Sequence, residues 1–153
     1  MKTKSFILKP TSVFATLNSI VFFVISIILV AIPYYFSLPY VFIFISVIPF
    51  FLGVYKFIYW KLVRYEVNVN QLKYTRGVFN LQEDYLELYR VKDFVKSQPL
   101  HLRIFNIMNF TINTSDVSHP TLIMKGIPVS NIADVLRELV EKSRITNRVF
   151  EVD

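Results

Sequence analysis

The spacing of hydrophobic and polar residues changes character along this chain. From Thr11 to Tyr55 there is no alternation: 45 residues pass without an Asp, Glu, Lys or Arg. One membrane-crossing helix needs about 20 apolar residues, so this run is long enough for two. Pro33-Tyr34-Tyr35-Phe36-Ser37-Leu38-Pro39 divides it. Each proline lacks a backbone donor and turns the preceding residue away from helix, so this segment reads as a tight reversal. The pattern predicts helices over Ser12 to Ile32 and Pro39 to Trp60, with Pro49 kinking the second and Gly53 allowing close packing. The expected element is a membrane hairpin over residues 12–60, preceded by a short segment, residues 1–11.

Beyond the hairpin the period falls to two. Val63, Tyr65, Val67 and Val69 alternate with Arg64, Glu66, Asn68 and Asn70, as a half-buried strand requires. A break at Asn70-Gln71 leads to a second strand through Leu72 and Tyr74, ended by Gly77 at a bend or bulge. Phe79-Asn80 reads as a turn. Gln82 to Leu88 and Val91 to Ser97 read as further strands, and Pro99 to Phe105 as one helical turn. Met108, Phe110 and Ile112 mark the next strand. A loop over Thr114 to Pro120 and a last strand over Thr121 to Lys125 follow.

Residues 130–144 carry the helical period. Ile132, Val135, Leu136, Leu139 and Val140 fall on one stripe, with Arg137, Glu138, Glu141 and Lys142 opposite. Ser130 or Asn131 can cap the start, Asp134 suits the positive end of the dipole, and Arg144 suits the negative end. Short strands followed by one amphipathic helix predict a small antiparallel β-barrel or sandwich capped by a C-terminal helix, over residues 61–145, with residues 146–153 as a tail.

Charge refines this division. The net charge is +6, but residues 1–61 hold five lysines and no acid, whereas residues 62–153 hold 12 basic and 11 acidic groups. The excess thus belongs to the membrane flanks, and a nucleic-acid partner is not expected. Lys2, Lys4 and Lys9 precede the first helix; Lys56, Lys61 and Arg64 end the second; the turn carries none. Basic residues near membrane ends stay in the cytoplasm, which predicts a multi-pass protein of the cytoplasmic membrane with both termini inside. Tyr34, Tyr35 and Tyr40 would lie at the outer interface, and Tyr55, Tyr59 and Trp60 at the inner one. The competing reading of the first run is a cleavable signal. Its apolar core is too long for one, and Val30-Ala31-Ile32-Pro33 is a poor cleavage site.

Candidate chemistry is sparse. The chain has no cysteine, hence no disulfide or thiolate metal site. His101 and His119 stand in no metal-ligand spacing, and Asp116 with His119 lacks a third ligand. Glu83 and Asp84 are consecutive, so on a strand they point to opposite faces and cannot share acid–base work. No cofactor, metal or catalytic residue is expected. Lys61, Arg64, Arg90, Lys92 and Lys96 are candidate contacts for anionic lipid headgroups, each worth about 1 kcal/mol at a membrane surface. The competing reading is an ordinary solvated strand face, since Glu87 and Asp93 are interleaved.

Tyr65-Glu66-Val67, Leu72, Tyr74 and Gly77-Val78, with Leu88-Tyr89-Arg90-Val91-Lys92-Asp93, resemble the bacterial pleckstrin-homology-like (bacterial PH domain) membrane proteins, the YdbS/YdbT-like group. Leu100 to Phe105 is similar to that family's Leu/Arg-rich turn, Asn109 to Thr114 to its next strand, and Leu122 to Pro128 to its last. One departure is visible: Asn106, Met108 and Asn109 stand where the family usually has glycines. The resemblance implies a cytoplasmic PH-like domain with a binding or scaffolding role and no catalytic residues. Some members of similar size act in bacteriocin self-immunity, so the expected function is protection of the membrane against a membrane-active antimicrobial peptide. The expected partners are the lipid bilayer and a cationic peptide or membrane protein. The alternative is a scaffolding or assembly subunit of an envelope complex.

Overall fold

The computed structural model describes residues 5–36, 39, 41, 43–116 and 120–147. The chain runs as strand β1 (Phe6–Leu8), helices α1 (Ser12–Tyr35) and α2 (Ile43–Leu62), then β2 (Arg64–Val67), β3 (Gln71–Arg76) and β4 (Gln82–Glu87). A 3₁₀ turn over Leu88–Arg90 leads to β5 (Val91–Ser97), α3 (Leu100–Ile104), β6 (Ile107–Thr114), β7 (Thr121–Pro128) and α4 (Ile132–Thr146).

The two long helices pack against each other along their length, with α2 beginning at Ile43 and not at Pro39, and running past Trp60 to Leu62. Their buried positions recur at seven-residue intervals: Ser19, Ser26 and Pro33 on α1, Ser46 and Gly53 on α2. That interval keeps one seam facing the partner helix, and small residues on it let the backbones approach. A Cβ at Gly53 would stand 3.1 Å from the Phe23 ring. The Ser26 hydroxyl donates to the Ser46 carbonyl across the seam at 3.0 Å. Asn18, Ser19 and Ser46 instead bond back to carbonyls of their own helices. Pro33 lies within α1 rather than ending it, because its missing N–H costs one bond while Phe36 N–H still reaches the Ile32 carbonyl at 3.0 Å. Both helices are long and apolar enough to cross a membrane, and only 17% and 11% of their apolar windows are buried. A core helix of a soluble domain would hide most of that surface.

The domain is an antiparallel sandwich of two sheets, ordered β1-β2-β3-β4 and β5-β6-β7, which do not close into a barrel. Leu72, Leu86, Phe110, Ile112, Leu122 and Met124 fill the space between them. Helix α4 covers that core with Ile132, Leu136, Leu139 and Val140, while Val135, on the predicted stripe, is exposed. Arg144 ends α4 as expected, and its guanidinium donates to the Val91 carbonyl at 2.7 Å. The Asn131 side chain makes no capping bond.

Two departures from the expected pattern set how the hairpin meets the domain. The segment before the hairpin contributes β1, which pairs with β2 through Phe6↔Val67 and Leu8↔Tyr65. The second is that β7 continues past Lys125. Its register passes from Phe110↔Met124 to Met108↔Ile127, so Lys125 and Gly126 together oppose Asn109. Gly126 has φ +72° and donates its N–H to Asn109 Oδ1 at 3.0 Å. This is a bulge that only glycine forms without strain. Asn106, in place of a glycine, adopts φ +53°, a left-handed conformation that asparagine tolerates best among non-glycine residues.

Candidate functional site: the end of the domain beside the hairpin

The sheet register fixes which end of the domain adjoins the helices. Arg64 follows α2 directly and pairs with Thr75, so the start of β2, the end of β3 and the start of β4 lie at the hairpin end. Glu87, Leu88–Arg90 and Val91 lie at the opposite end. On the second sheet, α3 returns to the hairpin: Leu102 and Ile107 form a buried cluster with Phe14, against which Leu17 and Trp60 pack.

The hairpin is bonded into the domain at both of its ends. Thr11 N–H donates to the Gly126 carbonyl at 2.8 Å, and the Thr11 hydroxyl caps α1 by accepting from Phe14 N–H at 3.2 Å. Phe14 meets Trp60 edge-on at 4.8 Å, and Trp60 meets Tyr59 edge-on at 5.4 Å. Tyr59 and Trp60 are half-buried and pack on the domain core, so these rings join helix to domain. Tyr55 remains exposed.

The five candidate headgroup residues divide between the two ends. Lys61 is exposed and donates to Ser12 Oγ at 2.7 Å, and Arg64 is exposed beside it in sequence. Lys96 is exposed near the hairpin end of β5, one residue before the Ser97↔Asn109 pair. Arg90 and Lys92 lie at the far end. Arg90 pairs with Glu87 at 3.1 Å and Asp116 at 3.4 Å, and Tyr89 beside its guanidinium pushes its pKa further up. Lys92 lines a cavity of about 390 Å³ between β5 and α4, with Asp93, Phe94, Arg137, Glu141 and Arg144.

The consecutive carboxylates are both held in ion pairs. Glu83 and Asp84 point to opposite faces: Glu83 pairs with Lys73 at 2.7 Å and Asp84 with Arg76 at 3.0 Å. The Lys73 ammonium and the Tyr85 hydroxyl hold the Glu83 carboxyl below its usual range, and Glu83 in turn raises Lys73. His101 is exposed on α3, and His119 lies outside the described residues. Among the described residues no three His, Asp or Glu side chains converge as a metal site would need.

Apolar residues at the hairpin end form a feature that periodicity does not announce. Leu100, Ile104 and Phe105 are exposed on and just after α3. Phe79, at the tip of the β3–β4 loop, is 93% exposed, and its ring stacks on Tyr55 of α2 at 6.2 Å and 13°. The only sequence signal was an aromatic residue at a turn otherwise marked by Gly77 and Asn80.

A match to the family described as Bacterial PH domain spans residues 12–143. The chain belongs to the Bacterial PH domain family. No curated protein and no solved structure matches it significantly. Strand β1 precedes the matched residues, so the first strand of this PH domain lies on the far side of the hairpin in sequence. PH domains are generally non-catalytic and generally bind lipids or proteins. With two candidate spans, this PH-domain chain fits a membrane-associated protein.

Proposed function

We propose that this chain is a non-enzymatic, multi-pass protein of the cytoplasmic membrane whose PH domain and termini face the cytoplasm, and that it protects the bilayer against a membrane-active cationic peptide. The observation that carries the membrane arrangement is the pairing of β1 with β2. A strand before α1 and a strand after α2 belong to one sheet, which supports an even number of crossings. The pairing also argues against a cleaved leader, because cleavage after α1 would remove β1, Thr11 and Phe14 from the domain. The lysine distribution then selects the cytoplasmic side.

Protection rests on the family resemblance and on the surface presented to lipid. Lys61, Arg64 and Lys96 are exposed basic residues toward the hairpin end, and Leu100 and Ile104 are exposed apolar ones on α3; we take them together as the surface presented to lipid. Such a surface occupies anionic headgroups that a cationic peptide would seek. Expression in a sensitive host should lower susceptibility to such peptides, and Lys61→Glu with Arg64→Glu should restore it. Unchanged susceptibility across a panel would overturn protection. The arrangement is tested separately on intact cells with an impermeant thiol reagent, since the natural chain has no cysteine. Phe36→Cys should label and Ser97→Cys should not; the reverse would overturn the orientation.

One observation favours a second reading, an assembly subunit of an envelope complex. Strand β1 is the edge of its sheet, and Phe6 and Leu8 line an apolar groove of about 260 Å³ with Ile132 and Val135. An exposed sheet edge is a ready template for a partner strand. Crosslinking followed by isolation of a stoichiometric protein partner would select this reading over protection.

A further inference from the structure

The β3–β4 loop, Gly77 to Leu81, runs back alongside α2 instead of turning at the surface of the domain. Its tip is apolar: Phe79 and Leu81 are exposed, and Phe79 stacks on Tyr55. Tyr55 precedes Leu62 by seven residues, so the tip reaches about 10 Å along the helix from the domain end of α2. Tyr55 is also the last residue of the uncharged run, and Lys56 follows it. The Phe79 ring therefore stands level with the place where hydrocarbon gives way to headgroups.

The loop is built to hold that position. Gly77 has φ +118°, and a Cβ there would stand 1.9 Å from the Asn80 carbonyl oxygen, so the chain turns back in a form closed to other residues. The strands behind it are joined by the Lys73–Glu83 and Arg76–Asp84 ion pairs. Charged stem and apolar tip follow each other within a few residues, as in other elements that seat at an interface. Between loop and helix lies an apolar groove of about 560 Å³, lined by Phe51, Tyr55 and Ile58 on one side and Val78 and Phe79 on the other. The groove is continuous with the outward surface of α2.

We propose that the β3–β4 loop is a third membrane anchor of this chain, with Phe79 inserted beside α2 and the groove between them occupied by a phospholipid acyl chain. The occupant follows from continuity: if α2 faces lipid, the groove opens onto the same lipid. The inference rests on the reading of α1 and α2 as membrane-spanning. It adds a bilayer contact on the β3–β4 side of the domain, beyond the Thr11, Phe14 and Trp60 contacts that already fix the domain to the hairpin.

The test uses the full chain reconstituted in phosphatidylcholine–phosphatidylglycerol vesicles, with an environment-sensitive fluorophore on single cysteines and brominated acyl chains as quencher. Ile48→Cys on the outward face of α2 reports the spanning reading, and Lys92→Cys at the far end of the domain reports solvent. Phe79→Cys should be blue-shifted and quenched within about twofold of Ile48→Cys, while Lys92→Cys is unaffected. Quenching at Ile48→Cys without quenching at Phe79→Cys overturns the anchor and leaves the spanning helices standing. A blue shift at Phe79→Cys without quenching also overturns it, because the probe is then buried against this chain's own residues and not in lipid. No quenching at either position removes the spanning reading and the anchor with it.

Discussion

The ring of Phe14, in the first turn of α1, lies directly on the backbone of Gly126 in β7. A Cβ at Gly126 would stand 2.3 Å from two of its ring carbons. Here the hairpin and the PH domain become one packed unit, because the bulge carries no side chain where the ring arrives. The Thr11–Gly126 hydrogen bond fixes the same contact through the backbone.

Gly126→Ala should therefore be among the most damaging single-methyl additions in the chain. The left-handed backbone costs about 1–2 kcal/mol for a non-glycine residue, and overpacking against a fixed ring adds about 1–3. Combining it with Phe14→Ala should recover the overpacking part and leave the backbone part. A double-mutant cycle of denaturant unfolding in detergent would read the coupling, and additive costs would mean the ring does not rest on Gly126.

Within the hairpin, packing at Gly53 should outweigh the hydrogen bond at Ser26. Gly53→Val drives side-chain atoms into Phe22 and Phe23 and should cost about 1–3 kcal/mol. Ser26→Ala removes one bond to the Ser46 carbonyl and should cost about 0.6 kcal/mol, the average for such bonds in membranes. Steric-trapping or denaturant measurements in lipid would rank them. A larger loss for Ser26→Ala would show that the seam is held by polarity.

Tyr65 should make the domain sensitive to alkali. Its side chain is fully buried, its ring stacks on Tyr74 at 5.0 Å, and its hydroxyl accepts the Lys125 N–H at 3.0 Å. Burial raises its pKa well above the ordinary tyrosine value, against the opposing effect of the Lys125 N–H. The folded state then keeps a proton that the unfolded chain gives up near pH 10. Stability from this source is full below about pH 10 and falls above it by about 1.4 kcal/mol per pH unit. Tyr74, half-buried and also raised by burial, acts in the same direction. Tyr65→Phe should lower stability at neutral pH by about 1–3 kcal/mol by stranding the Lys125 N–H, yet flatten the alkaline slope. An unchanged slope would mean the phenol is reached by solvent.

On α4, position decides more than hydrophobicity. Leu136 is fully buried and Val135 is exposed, though both lie on the same apolar stripe. Leu136→Ala should cost about 2–5 kcal/mol, while Val135→Lys should stay within about 0.5. A large cost for Val135→Lys by thermal unfolding would mean that Val135 packs into the groove it lines with Phe6 and Leu8 instead of facing solvent.

What the sequence determined by itself was whatever local periodicity and composition encode. The uncharged run from Thr11 to Tyr55 required an apolar surround, the alternation around Phe110 required a half-buried strand, and the stripe from Ile132 to Val140 required a helix on a core. The residues resembling the bacterial PH domain supplied the family. Tertiary structure decided everything that depends on contacts distant in the chain. Three residues, Phe6 to Leu8, are too few to show a period, and their partner strand lies beyond the whole hairpin, so β1 exists only because β2 offers an edge. Gly126 was legible as the end of a strand, but its bulge arises from Asn109 opposite and its bareness matters only because Phe14 arrives there. Arg90 and Lys61 both read as exposed basic residues. The register sends Arg90 to the far end, among Glu87 and Asp116, while Lys61 ends α2 itself, because strand direction, which no single residue carries, sets which charges lie near the two apolar helices.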